Sequence, residues 1–257
     1  EICERRNDDY DWAWYWTSRM SAAAFAGDWP ATLEHAARAG TYYDRRRHGI
    51  AWERSVTSIY RAIALAMIGD VPALRAIVHA TADDARDRDD PVALNGVRSG
   101  HPAILRLYDD APDEPPQSHG GLQRGARWPE ADFTSPDYYD LIADAERLLY
   151  RGEDAAALAR VDRDWKALDR SALLRLRFVG IDARYLRARC ALRVAGAPGL
   201  HRKLRARLLA VAADELHRIT RSAESLSEAY AQAVTAGLIA LAGDRHNAIL
   251  AHERAAT

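Results

Sequence analysis

Several groups of side chains in this 257-residue sequence have the makings of a site, and each also has an explanation in packing. Trp12, Trp14, Tyr15 and Trp16 crowd one stretch, as an aromatic platform for a peptide or ligand would. Large aromatics are mostly buried for packing, so a first-helix core with one exposed end is the expected role. Arg175, Arg177, Arg184, Arg187, Arg189 and Arg193 follow one another closely, and residues 151–210 carry fifteen basic against six acidic side chains. An anionic partner would be drawn to them. Arginines that flank an apolar stripe also reach acids on adjacent helices, and no nucleic-acid-binding module accompanies these, so internal pairing is expected.

The smaller clusters carry less. Arg45-Arg46-Arg47-His48 suits a helix C-terminus, where cations complement the dipole. Asp83, Asp84, Asp87, Asp89 and Asp90 lack the ligand spacing and central glycine of a calcium loop, and read as a solvated helix end before Pro91. His246 and His252 are six residues apart, which does not put both on one helix face, and no His-Glu-x-x-His occurs. Ser118-His119-Gly120-Gly121 resembles an oxyanion loop but has no Gly-x-Ser-x-Gly beside it. Nucleotide and kinase signatures are missing as well: there is no Gly-x-x-x-x-Gly-Lys, His-Arg-Asp or Asp-Phe-Gly. The sequence therefore predicts no catalytic residue, no metal and no cofactor in this chain.

Composition narrows the class of partner. Apolar residues make up 48%, enough for a sizeable core, and the formal net charge is −1. That balance gives no reason to expect nucleic acid or a membrane surface. Of 36 basic residues only Lys166 and Lys203 are lysine, as a GC-rich genome would produce. Cys3 and Cys190 are too few and too distant for a disulfide framework or a zinc site, which fits a reducing cytoplasm. No run approaches the ~18 consecutive apolar residues of a membrane span. The sequence opens at Glu1 with neither an initiator methionine nor a signal peptide, so a piece of a longer protein is expected.

The elements that must position any site are announced by a recurring phrase: small apolar residues, Gly, an acid, then a new helix. It occurs at Ala24-Phe25-Ala26-Gly27-Asp28, Ala66-Met67-Ile68-Gly69-Asp70, Leu149-Tyr150-Arg151-Gly152-Glu153 and Ala240-Leu241-Ala242-Gly243-Asp244. A looser copy is Val194-Ala195-Gly196-Ala197-Pro198. Gly can end a helix in the left-handed conformation, the following acid can cap the next helix, and Pro30 and Pro72 fall in a first turn where no amide donor is missed. The glycines are separated by 42, 83, 44 and 47 residues. The interval of 83 is close to two periods, which predicts a turn without glycine near residue 110, at Leu107-Tyr108-Asp109-Asp110-Ala111-Pro112.

Between the turns the apolar residues recur at steps of three and four. Examples are Trp52, Val56, Ile59, Tyr60, Ile63 and Met67, and Leu174, Phe178, Ile181, Tyr185, Ala188 and Leu192. No period-two run appears. The expected fold is all-α: a tetratricopeptide-like α-solenoid of helix-turn-helix repeats with a period of about 42 residues. N-terminal repeats are expected over 1–110, a Pro/Gly-rich loop or linker over 111–136, and C-terminal repeats over 137–257.

Three stretches resemble a known class of protein. WERSVTSIYRAIALAMIGD (52–70), YYDLIADAERLLYRG (138–152) and WKALDRSALLRLRFVGIDARYLRARCAL (165–192) are similar to the C-terminal tetratricopeptide-like helical region of large bacterial serine/threonine protein kinases of the Hanks type, which carry ATPase-like modules. Related tails occur on ATPase-type transcription regulators. The resemblance implies a regulatory tail that docks a protein or peptide partner, or neighbouring domains of its own chain, and it transfers no catalytic residue. Trp52, Tyr60, Tyr138, Tyr139 and Tyr185 are the candidate partner-binding residues. A ligand-sensing helical domain of a transcription regulator is the alternative.

Overall fold

The computed structural model describes residues 8–45, 49–112, 133–221 and 225–255. Cys3, Arg46 to His48 and most of the Pro/Gly-rich loop, including Ser118 to Gly121, lie outside the described residues. Among the described residues there is no strand, and twelve α-helices run α1 (Asp9–Ala26), α2 (Trp29–Tyr43), α3 (Ala51–Ile68), α4 (Val71–Asp87), α5 (Pro91–Arg98), α6 (Ile104–Tyr108), α7 (Ser135–Tyr150), α8 (Asp154–Arg170), α9 (Arg177–Ala195), α10 (Arg202–Thr220), α11 (Ser225–Leu241) and α12 (Arg245–Ala255). Single 3₁₀ turns precede α6 (His101–Ala103) and α9 (Ala172–Arg175). The chain divides into two compact units, one ending at Ala143 and the other beginning at Asp144, so the border falls within α7.

The glycine phrases close helices by one geometry. Gly27 has φ +78°; its N–H donates to the Ala24 carbonyl (3.1 Å), and the next amide, Asp28, donates to Ala23 (2.9 Å). Gly69, Gly152 and Gly243 repeat the pair of bonds at φ +77°, +73° and +95°. These bonds satisfy carbonyls that the end of a helix leaves without partners. The acids then start the next helix: Asp28, Asp70 and Asp244 accept from the amides of Ala31, Ala73 and Asn247 at 3.1 Å. Glu153 makes no such side-chain cap.

The predicted turn without glycine is present, and so is one that the phrase does not reveal. Asp110 takes φ +52° and donates to Leu107, while Ala111 donates to Arg106. Asp89 does the same at φ +52°, and Asp90 caps α5 by accepting from Ala93 (2.9 Å), with Pro91 in first position. Aspartate tolerates the left-handed region better than most side chains, so glycine is not obligatory there. The Gly196 copy differs: its φ is −75°, and the left-handed residue is Gly199 at +74°.

Within each unit, helices pack on their neighbours in sequence. In the first unit α1 pairs with α2, α2 with α3, α3 with α4 and α4 with α5, and α3 also meets α1 and α5. Ala62, Leu65, Leu74, Val78, Ala82, Val97 and Leu105 form one core, and Ala13, Ala39, Tyr43 and Ile50 another. In the second unit α8, α9, α10, α11 and α12 pair in order, and α9 also meets α11. Its main core is mostly alanine (Ala188, Ala191, Ala195 and Ala212, with Leu208 and Val234). Small side chains let helix axes approach closely, and each buried Leu or Val contributes roughly 1.5–3 kcal/mol.

Candidate functional site

The first unit contains a cleft of ≈ 540 Å³. Trp14, Thr17, Ser18 and Ser21 of α1, Trp52, Val56, Ile59 and Tyr60 of α3, and Tyr139 of α7 line it. The apolar row of α3 therefore does not all go to the core. Residues 52, 56, 59 and 60 face the cleft, while Ala62, Ile63, Ala64 and Leu65 are buried. Among the described residues that line the cleft, none is charged.

Aromatic contacts fix its walls. Trp14 and Trp52 stack with centroids 5.9 Å apart and planes at 26°. Tyr60 meets Phe25 edge-on at 6.0 Å. Tyr139 is held from below by backbone: Gly100 donates its N–H to the Tyr139 carbonyl (3.0 Å). Gly100 adopts φ +60° and ψ −141°, and a Cβ there would lie 2.9 Å from Tyr139 Cδ1. Only glycine fits that combination of torsion and contact.

The hydroxyls of α1 are committed in a particular sense. Ser18 donates to the Trp14 carbonyl (2.9 Å), Ser21 to Thr17 (3.0 Å), and Thr17 to Ala13 (2.9 Å). The Tyr43 hydroxyl sits 2.9 Å from the Thr17 hydroxyl, whose proton is already used, so Tyr43 donates. What the serines present beyond their own helix is lone-pair acceptors. Burial raises the pKa of Tyr60, with the Ser21 hydroxyl offsetting part of the rise. Burial, followed by the neighbouring Tyr60, holds the Tyr139 phenol well above its ordinary range. Both stay protonated at neutral pH.

Of the five candidate residues, the structure brings Trp52, Tyr60 and Tyr139 into this one cleft. Tyr138 is 1% exposed and belongs to the core. Tyr185 lies in the second unit, stacked on Tyr230 with centroids 4.1 Å apart and planes at 15°. The Tyr230 hydroxyl donates to Asp182 (3.3 Å), and burial and that carboxylate raise its pKa. The tryptophan cluster near the N-terminus splits. Ala13, Thr17 and Met20 take the core positions of α1, and Tyr15 is exposed. Trp16 packs beside His35, with Arg38 over its ring at 4.4 Å, and Trp14 turns into the cleft. The signal for the missed residues was the helical row Trp14, Ser18, Ser21.

The arginines of α9 are spent internally. Arg184 and Arg187 both donate to Glu215 of α10, at 3.0 and 2.9 Å, and Glu215 is 3% exposed. Arg187 also reaches Asp162 (3.1 Å) and lies 4.3 Å over the Trp165 ring. Arg189 pairs with Glu146, and Arg193 with Asp154 at 3.0 Å. Beside them, burial pushes the Cys190 thiol up to about 12. In the acidic cluster, Arg88 bridges Asp84 and Asp90, and Arg86 pairs with Asp83. Among the described residues no group of three or more His, Cys, Asp or Glu could hold a metal ion, and no helix is long and apolar enough to cross a membrane.

No protein-family profile, no curated protein and no solved structure matches the chain.

Proposed function

We propose that this chain is the protein-interaction and regulatory helical-repeat region of a bacterial cytoplasmic signalling protein, a serine/threonine kinase in the first instance. The observation that carries the binding role is the neutral aromatic cleft, which gathers Trp14, Trp52, Tyr60 and Tyr139 on three helices. Aromatic anchors surrounding a desolvated hollow are what concentrate binding energy at protein interfaces. A tetratricopeptide-like α-solenoid repeat is supported by the left-handed turns at 27, 69, 110 and 152, which fall at intervals of 42, 41 and 42, with the similar turn at 89 inside the second of them. The kinase parentage rests on the resemblance of residues 52–70, 138–152 and 165–192.

The docking role is tested by placing a photo-crosslinking amino acid at Ser18 in the native host. A defined protein adduct that disappears in Trp52→Ala is expected; absence of any Trp52-dependent adduct overturns it. The parentage is tested by reading the gene upstream of Glu1. An Asp-Phe-Gly kinase motif is expected there, and a DNA-binding module would transfer the chain to a transcription regulator.

One observation favours a second reading, a ligand-sensing domain. A cleft of ≈ 540 Å³ falls in the range of small-molecule sites, about 300–1,000 Å³, and such sites are mostly apolar with a few placed polar groups.

A further inference from the structure

We infer that the cleft between α1, α3 and the start of α7 binds a small, uncharged heteroaromatic molecule that carries an N–H or O–H donor. This inference rests on the ligand-sensing reading and specifies its ligand. Size sets the scale of the occupant. One helix is ~10 Å across and the cleft holds ≈ 540 Å³, the space of a ring system rather than of several helical turns.

Charge decides next. Neither a carboxylate nor a cation is among the described lining residues, so an anion would lose its hydration with nothing to replace it, and a cation would have the ring faces alone and no counter-charge. The phenols agree with that geometry: burial and each other's company account for the rise at Tyr139, and burial with Ser21 for the change at Tyr60, with no ionised group contributing.

Shape follows from the walls. Trp52 is 57% exposed although it stacks on Trp14, so indole surface remains open beside the cleft. Tyr60 and Tyr139 supply further rings. Flat aromatic ligands gain most from such surfaces, by offset or edge-on contact.

The donor requirement comes from α1. Ser18 and Ser21 have already given their protons to the carbonyls four residues back. Ser21 is also within hydrogen-bonding reach of the Tyr60 hydroxyl, so the acceptor left for a ligand N–H or O–H is Ser18. A ring without a donor would displace water from the Ser18 oxygen and put no hydrogen bond in its place.

The test is calorimetric titration of the whole chain with four probes: indole, 1-methylindole, tetramethylammonium and benzoate. Saturable one-to-one binding of indole is expected, with 1-methylindole at least five-fold weaker and neither ion binding. Trp52→Ala should weaken indole at least ten-fold, whereas Ile249→Ala, on an exposed face of the second unit, should leave it unchanged. Should Trp52→Ala misfold, Ser18→Ala removes an acceptor from an exposed position and should shrink the gap between indole and 1-methylindole. Equal binding of the two indoles, preference for either ion, or no saturation by indole overturns the inference. Partner crosslinking at position 18 is read separately, so a cleft that captures a protein but no free ring would sink this ligand and leave the docking role standing.

Discussion

The cleft of the first unit and the arginine row of the second handle polar groups in different ways. In the first, the cleft is lined by rings and hydroxyls, and the hydroxyls bond back to their own helix. In the second, α9 carries a dense row of arginines, and Arg184, Arg187, Arg189 and Arg193 are tied to acids on other helices. The unit with the conspicuous charge has committed it to holding helices together. The less conspicuous row Trp14, Ser18 and Ser21 lines an open cleft. Charge density along a sequence is thus a poor guide to open charge here, because what matters is whether the charge finds an internal partner.

The sharpest way to break this contrast is at Glu215. It is almost fully buried and serves two guanidinium groups at once. Glu215→Ala would take this partner from both, leaving Arg187 its bond to Asp162, and a loss of about 2–4 kcal/mol is expected from urea unfolding of the second unit. A loss below 0.5 kcal/mol would mean that the arginines are not spent on stability.

In the first unit the corresponding weak point is backbone. Gly100→Ala forces a side chain into a left-handed torsion and toward the Tyr139 ring. It should cost roughly 1–3 kcal/mol. Because Gly100 anchors Tyr139, it should also weaken whatever occupies the cleft, which calorimetry would read alongside the unfolding curve.

Trp52→Ala should separate function from stability. An aromatic pair contributes roughly 0.5–1.5 kcal/mol, and Trp52 is more than half exposed, so the lower end is expected. Binding should suffer far more than the thermal midpoint does. If the midpoint falls steeply while binding holds, Trp52 is a core residue.

The Cys190 thiol reports on the second unit without any change in its packing. With its pKa raised to about 12, it holds almost no thiolate at pH 8. In a Cys3→Ser background, Ellman's reagent should fail to label native protein and should label it fully in 6 M guanidinium. Rapid native labelling would show that α9 opens easily.

The smallest effect concerns acid. At Asp90 burial by itself would raise the pKa, but the Ala93 amide, the Ser55 hydroxyl and Arg88 together outweigh it and lower the pKa below the usual value. A lowered carboxyl pKa adds stability above the unfolded value of about 3.9, and that stability drains away as pH falls from there through the lowered one. Asp90→Asn should therefore narrow the gap between stability at pH 6 and at pH 2.5. An unchanged gap would show that Asp90 caps α5 without contributing to the acid response.

How legible the site was varies residue by residue. Trp52, Tyr60 and Tyr139 could be nominated because large rings recur on helical faces. Tyr138 stood beside Tyr139 with the same credentials, yet adjacent helical residues point about 100° apart, and one went to the core while its neighbour went to the cleft. Trp14, Ser18 and Ser21 form a visible row, but nothing along the chain says that α3 and α7 converge on it.

The sequence by itself determined helices, their ends and their caps. Each of those is settled within a few residues, by a left-handed torsion at Gly27 or Asp110, or by the carboxylate of Asp28 or Asp70. Which apolar face would be covered, and which arginine would meet which acid, depended on helices dozens of residues away. Arg189 and Glu146 are 43 positions apart, and Tyr139 reaches the cleft with its carbonyl held by the Gly100 amide, 39 positions away. Local rules fix torsions and hydrogen bonds, whereas the choice between core, ion pair and open cleft is made by long-range packing, where many weak contacts compete for the same surface.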